Sequence, residues 1–282
     1  MTGVRVAVYQ PQYLPRLHYV NRALDADVFV VLDSAQFTRK LKHHAPADGG
    51  GTDSATVHPS YQAHTPIRLA SGRHLLTVPI RHGGSRTSIA RAEVADPEQW
   101  VATHLRSLHS GYANAPQYPA RAPELADLLE GPHDGLADLN LRSLLWALTT
   151  LLELHVPVGE LTLASVNAGL ATQNHVRLRR VVVASRMAAE RPTGRQQGNA
   201  WIAALCAELG ATEYLCGGTA AGNYMDKEFF VSRGVEPVLQ SWHCGAYPQQ
   251  FSDRHAFLSN LSIVDLLLNV DAATARAVVR PA

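Results

Sequence analysis

Cysteine is scarce in this chain. Cys206, Cys216 and Cys244 are an odd number without the spacing of a disulfide scaffold, so reduced thiols and a cytoplasmic location are expected. Long apolar runs are missing too. No stretch approaches the roughly 20 residues that cross a bilayer, and the opening residues carry no signal-peptide pattern, so no membrane partner is expected. An excess of charge of one sign is also lacking: 25 Lys and Arg stand against 24 Asp and Glu, a formal net charge of +1. Such a balance draws a protein neither to nucleic acid nor to an anionic surface. What the chain has is apolar substance. Of its 282 residues 46% are hydrophobic, enough for a well-buried core and against wholesale disorder. Its 14 His make the charge balance sensitive to acid.

Two β-branched, apolar segments, Val6-Ala7-Val8-Tyr9 and Val28-Phe29-Val30-Val31-Leu32, flank a piece that opens Gln10-Pro11-Gln12-Tyr13-Leu14-Pro15. The pattern predicts strand, turn, helix and second strand. Residues 45–71 sustain no period, which predicts a loop-rich surface insertion near residues 43–73. Leu75–Ile80 and Ser88–Val94 read as strands. A helical segment follows over about 96–175. Asp96-Pro97 opens its first helix, with Trp100, His104, Leu105 and Leu108 on one face, and Leu136–Leu154 is apolar on most sides. The later half alternates strand and helix: Val181–Ala184, Asn199–Leu209, Glu213–Cys216, Asp226–Ser232, Val235–Gln240 and Leu261–Asn269. Alternation of this kind predicts one α/β domain across 1–282, a mostly parallel open sheet with flanking helices, nucleotide-binding-like in plan.

Chemistry-bearing residues gather where strands end. In open α/β sheets, ligands bind beyond the carboxyl ends of the strands. The loop after the first strand holds Gln10, Gln12, Tyr13 and His18, whose amides, phenol and imidazole suit a polar substrate edge. Asp33 and Gln36 end the second strand; Asp33 is a candidate general base or an ordinary turn-forming carboxylate. Arg39, Lys40 and Lys42 offer charge to a phosphate or a carboxylate, or form a solvated loop. Gly217-Gly218-Thr219-Ala220-Ala221-Gly222-Asn223-Tyr224 lies between a strand and a helix, where glycines let backbone N–H groups approach an anion. Its spacing is not that of a dinucleotide fingerprint. His243 and Cys244, with Tyr247 and Gln249, follow the next strand. A thiolate with an imidazole is an acyl-transfer nucleophile, and because sequence neighbours do not readily face each other, His104 is the alternative partner. His43, His44, His58, His64, His74 and His82 supply no compact ligand pair, so no metal site is expected.

Several of these segments together resemble the WbqC-like family. They are Gln10-Pro11-Gln12-Tyr13-Leu14-Pro15, Ala26-Asp27-Val28-Phe29-Val30, Leu32-Asp33-Ser34-Ala35-Gln36-Phe37, Tyr214-Leu215-Cys216-Gly217-Gly218, Tyr224-Met225-Asp226, Phe230, Tyr247-Pro248-Gln249 and Asn260 through Asn269. The likeness covers nearly the whole chain. It implies a role in bacterial surface-polysaccharide or natural-product biosynthesis, with glycine transfer suggested for some members. The chain departs from the family pattern twice: Arg16 stands where the first loop usually has Trp, and a basic, His- and Gly-rich insertion replaces an Asn/Arg-rich segment after Gln36-Phe37. The opening is also similar, at the level of fold, to adenylate-forming and nucleotidyl-transferring proteins, although only His18 of their paired histidines is present.

These observations predict a transferase moving an acyl or aminoacyl group onto an amine or sugar, its partner a small-molecule substrate, an activated acyl donor or a carrier protein. The competing expectations are an ATP-dependent ligase or nucleotidyl transferase, and a non-catalytic binding protein for a biosynthetic intermediate. Neither a cofactor nor an oligomeric state is readable from the sequence.

Overall fold

In the computed structural model the described residues are 3–43, 56–81, 87–192, 197–218 and 225–280. The chain opens with β1 (Arg5–Tyr9), α1 (Leu17–Leu24) and β2 (Val28–Val31). Two antiparallel pairs follow: β3 (Lys40–His43) with β4 (Thr56–Pro59), and β5 (His64–Leu69) with β6 (Gly72–Thr77). Next come α2 (Pro97–Tyr112), α3 (Tyr118–Glu130), α4 (Leu136–Leu152) and α5 (Leu163–Thr172). The second half runs β7 (Arg180–Val183), α6 (Gln197–Glu208), β8 (Glu213–Cys216), α7 (Lys227–Val231), β9 (Glu236–Leu239), α8 (Ile263–Asn269) and α9 (Ala272–Val279). No helix among the described residues is long and apolar enough to cross a membrane.

Five strands form one parallel sheet in the order β7-β2-β1-β8-β9. Val6, Ala7 and Val8, and all of Val28 to Val31, are buried. Successive residues of a strand face opposite sides, so burial without alternation means that both faces of the sheet are covered. The chain builds β1, β2 and β7 outward in one direction, then returns to the other side of β1 for β8 and β9. The order therefore reverses between β1 and β8, the point at which open α/β sheets leave a crevice beyond the carboxyl ends of the strands.

The amino ends of the strands are closed by charge. Arg5 donates to Glu213 at 2.6 Å and Asp25 at 2.7 Å, and Arg177 donates to Asp27 at 2.9 Å. Gly210 and Gly234, with φ of +64° and +74°, end α6 and the turn after α7 in the left-handed region that costs glycine nothing.

The elements expected from periodicity are present, with two differences. Part of the region read as a surface insertion is ordered: β4 and β5 lie within it, and Gln62, Thr65, Ile67 and Arg68 are buried. Their pattern escapes a period-based reading because β5 is buried almost throughout and interrupted by Pro66. Ser88–Val94 is not a strand. It holds a 3₁₀ turn, Ile89–Arg91, flanked by the single bridges Gln36–Ser88 and Ile80–Val94.

Candidate functional site

The crevice between β1 and β8 opens into a cleft of about 570 Å³. Its walls come from the end of β1 and the loop after it (Tyr9, Gln10, Gln12), α1 (Arg16, His18, Arg22), the turn before β5 (Ser60, Tyr61, Gln62), the end of β8 (Gly217, Gly218) and Asn260. Segments some 200 residues apart in sequence thus share one concavity. The first loop is held in place by strain and its compensation. Leu14 sits at φ +38°, an uncommon place for a bulky side chain. Its carbonyl accepts from the hydroxyls of Thr65 (2.7 Å) and Ser262 (2.9 Å), and the N–H groups of Leu17 and Ile263 bond Leu261 and Pro15.

Two arginines dominate the electrostatics. Arg22 is 5% exposed. Its guanidinium lies 3.8 Å from the Tyr9 ring centroid and donates to Gln240 Oε1, while its Nε has no partner among the described residues. Arg16 lies 3.4 Å from the Tyr61 ring centroid, donates to His18 Nε2 at 3.3 Å, and also has a buried Nε without a partner among the described residues. Burial lowers the pKa of both, that of Arg16 to about 10. Among the described residues neither has a carboxylate partner, and no Asp or Glu lines the cleft. Buried cations left uncompensated are costly, and an anion is the group that relieves them. Gly217 is required by this arrangement, since a Cβ there would stand 2.5 Å from Arg22 Nη2. Its N–H donates to the Tyr9 hydroxyl at 2.6 Å.

His18 is neutral. Burial, then the charges of Arg16 and Arg22, push its pKa well below the usual imidazole value, with the Asn260 hydrogen bond opposing. Asn260 Oδ1 accepts from the His18 backbone N–H (3.0 Å) and from Nδ1 (3.1 Å), so Nε2 carries the lone pair that Arg16 engages.

Of the residues singled out in the sequence, Gln10, Gln12, His18, Gly217 and Gly218 line this cleft. Asn223 and Tyr224 lie outside the described residues. Tyr13 is instead fully buried, its hydroxyl 2.9 Å from His104 Nδ1, while His104 Nε2 meets the backbone of Thr77 at 3.1 Å. Both ring nitrogens of His104 are therefore engaged, and its pKa is lowered to about 4 by burial. Asp33 lies at the end of β2, against the turn after β7, where it accepts from the Ser185 N–H (3.0 Å) and hydroxyl (2.5 Å). Its oxygens hold that turn rather than face the cleft. Gln36 and Lys40 are exposed, and the Lys42 side chain is outside what is described. His243 is exposed, and the half-buried Cys244 thiol has a pKa raised by burial, the opposite of an activated nucleophile. Tyr247 and Gln249 belong to a buried network with Tyr112, Arg68 and the fully buried Asp265. Arg22, Tyr61, Gln62 and Asn260 were missed. For Arg22 a signal existed: it stands four residues after His18, on the same helix face.

The WbqC-like protein family profile matches residues 10–43 and 56–277. An uncharacterized protein of Mycobacterium tuberculosis is 24% identical over 269 residues, covering 95% of this chain and 94% of its own. No solved structure matches. With the profile running through nearly all of its length, the chain belongs to the WbqC-like protein family.

Proposed function

We propose that this protein is a transferase that moves an acyl or aminoacyl group from an activated, phosphate-bearing donor onto an amine or a sugar. The observation that carries this reading is the pair of arginines, the buried Arg22 and the partly buried Arg16, lining a cleft without carboxylates among the described residues at the reversal point of the sheet. The anionic end of the donor lies against the guanidinium groups, and Gln10 and Gln12 orient the part that projects outward.

Transfer is direct in this scheme. The acceptor nitrogen or oxygen attacks the acyl carbon, the bond from that carbon to the phosphate oxygen breaks, and its electron pair leaves on the phosphate. The acceptor's proton passes to the departing phosphate. The arginines stabilise the charge that grows on the leaving oxygens, where fixed donors in a water-poor site act most strongly. His18, neutral and flanked by two cations, serves as a positioning residue that holds Arg16. No thiol intermediate is needed, in keeping with the raised pKa of Cys244.

Nucleotidyl transfer is the second reading, favoured by the strand order alone, because such sheets hold phosphates at the same point. Incubation with acyl phosphates and acyl adenylates, each with amines and amino sugars, separates the two by mass spectrometry. Amide or ester formation that is lost in Arg22→Met and kept in Cys244→Ser supports acyl transfer. Pyrophosphate release from a nucleoside triphosphate, without acyl product, overturns it.

A further inference from the structure

The group that holds Arg22 is neutral, and its orientation is fixed from behind. Gln240 is not among the described residues that line the cavity. It follows the last residue of β9, and its N–H donates to the Cys216 carbonyl at 2.8 Å, so the pairing of β8 with β9 sets where its side chain starts. That side chain reaches α1. Its Nε2 donates to the His18 carbonyl at 2.9 Å and to Asn21 Oδ1. A backbone carbonyl can only accept. Asn21 Oδ1 is likewise confined to accepting, because Asn21 Nδ2 donates to the carbonyls of Val279 (3.1 Å) and Arg280 (3.2 Å) at the end of α9. The Gln240 amide therefore has one orientation, in which Oε1 accepts from Arg22 Nη2.

Arg22 is thus held on three sides. The Tyr9 ring lies against the guanidinium, the Gly217 backbone closes on Nη2, and Gln240 Oε1 takes its hydrogen bond. Glutamate has nearly the shape of glutamine and would have fixed the same pose with a full ion pair. Arg5 and Arg177, at the other end of the sheet, are held by carboxylates in that way. An amide fixes an arginine without neutralising it. We propose that Gln240 is a positioning residue of the anion site, which sets the pose of Arg22 and leaves its charge for the ligand. The inference rests on the anion-binding half of the transferase reading and adds a residue outside the cleft that sets the strength of that binding.

The test is calorimetric titration of wild type, Gln240→Glu and Gln240→Met with methyl phosphate at pH 8, beside their melting temperatures. Methionine removes the acceptor but adds no charge, so affinity should fall about three- to tenfold, the scale of one long side chain that must be immobilised on binding. Glutamate pairs with Arg22 and repels the dianion, so affinity should fall ~100-fold. A residue that served the fold alone would weaken binding equally in the two variants, in step with lost stability. Binding by Gln240→Glu within about threefold of wild type, or equal weakening by Glu and Met, overturns the inference and leaves acyl transfer standing, since that is read from product. A measurement on the wild type needs no variant to fold: both Gln240 amide protons should exchange slowly with water in nuclear magnetic resonance, with or without methyl phosphate. Rapid exchange would show that the amide is not locked and overturns the inference. The expected order of affinities, with no product from any acyl donor, supports the inference and sinks the transferase reading. Failure of methyl phosphate to bind the wild type overturns the inference and removes the observation on which that reading rests.

Discussion

Replacing Arg22 by Met separates what this residue does for the fold from what it does for a ligand. The side chain is 5% exposed, stacks on Tyr9 and donates to Gln240. Met retains most of the apolar stem and its packing. Loss of the guanidinium leaves Gln240 Oε1 without its donor, a cost of about 1–3 kcal/mol. Against this, removal of a desolvated cation with no carboxylate partner among the described residues relieves a penalty of several kcal/mol on the scale of buried ions. Gln240 Nε2 keeps its bonds to the His18 carbonyl and Asn21 Oδ1, so α1 stays tied to the end of β9. The ligand-free variant should therefore melt within about 4 °C of the wild type, or above it. Affinity behaves differently. Two charge-assisted hydrogen bonds to an oxyanion are together worth about 3 kcal/mol or more, so methyl phosphate binding should weaken ~100-fold. Differential scanning fluorimetry with and without methyl phosphate reads both quantities from one preparation. A variant that melts far below the wild type yet binds methyl phosphate normally would show that Arg22 is a structural cation, and the argument from its missing partner would collapse.

Further outcomes follow from the same contacts. Burial holds the His104 pKa near 4, below its ordinary value of 6.5; the unfolded chain takes up that proton first, so its contribution is complete above pH 6.5 and is lost as pH falls toward 4. Urea titrations should show about 3 kcal/mol less stability at pH 4 than at pH 7 from this residue, the partly buried His18, its pKa also lowered, adding in the same direction; a His104→Gln variant with an unchanged pH slope would contradict the assignment. Asp265 accepts from Tyr112, Tyr247 and Gln249, so Asp265→Asn should cost about 2–4 kcal/mol in denaturant titration and leave methyl phosphate affinity unaltered. Asp33→Ala should lose about 1–3 kcal/mol through its two bonds to Ser185 with product formation retained; abolished turnover in a folded variant would restore it as a catalytic base. Cys244→Ser should retain turnover, because the thiol is held protonated by burial, and a dead, folded serine variant would demand a covalent mechanism.

The parts of the fold that announce themselves in the sequence are those whose periodicity is local. Val6 to Val8 and Val28 to Val31 are buried on both faces, and their uninterrupted apolar character shows it without reference to anything distant. The same holds for α4, apolar nearly all round and buried along its length. The cleft is legible in half. Gln10, Gln12 and His18 are visible because a polar loop after a buried strand stands out; Gly217 and Gly218 because glycine does. Tyr61, Gln62 and Asn260 reach the same cavity only through the closing of the chain, and no local pattern marks them. Conversely, Tyr13, His104, Tyr247 and Gln249 have the chemistry of site residues but satisfy one another's neighbours inside the core. A polar side chain in an apolar sequence context is as often there to pair a buried group as to meet a ligand, and only the partner list separates the two. Arg16 and Arg22 are separated by the same criterion: Arg5 and Arg177 at the opposite end of the sheet have carboxylates, and these two have none among the described residues.

Nuclear magnetic resonance of the arginine side chains tests that contrast directly. In ¹⁵N-labelled protein the Nε–H groups of Arg16 and Arg22, assigned through their single-site variants, have no acceptor among the described residues. Addition of methyl phosphate at pH 8 should shift these two resonances together and slow their exchange with water, while those of Arg5 and Arg177, already bonded to carboxylates, stay in place. Shifts confined to other arginines, or no shift at saturating methyl phosphate, would contradict the assignment of the cleft between β1 and β8 as the site where this protein holds its anionic donor.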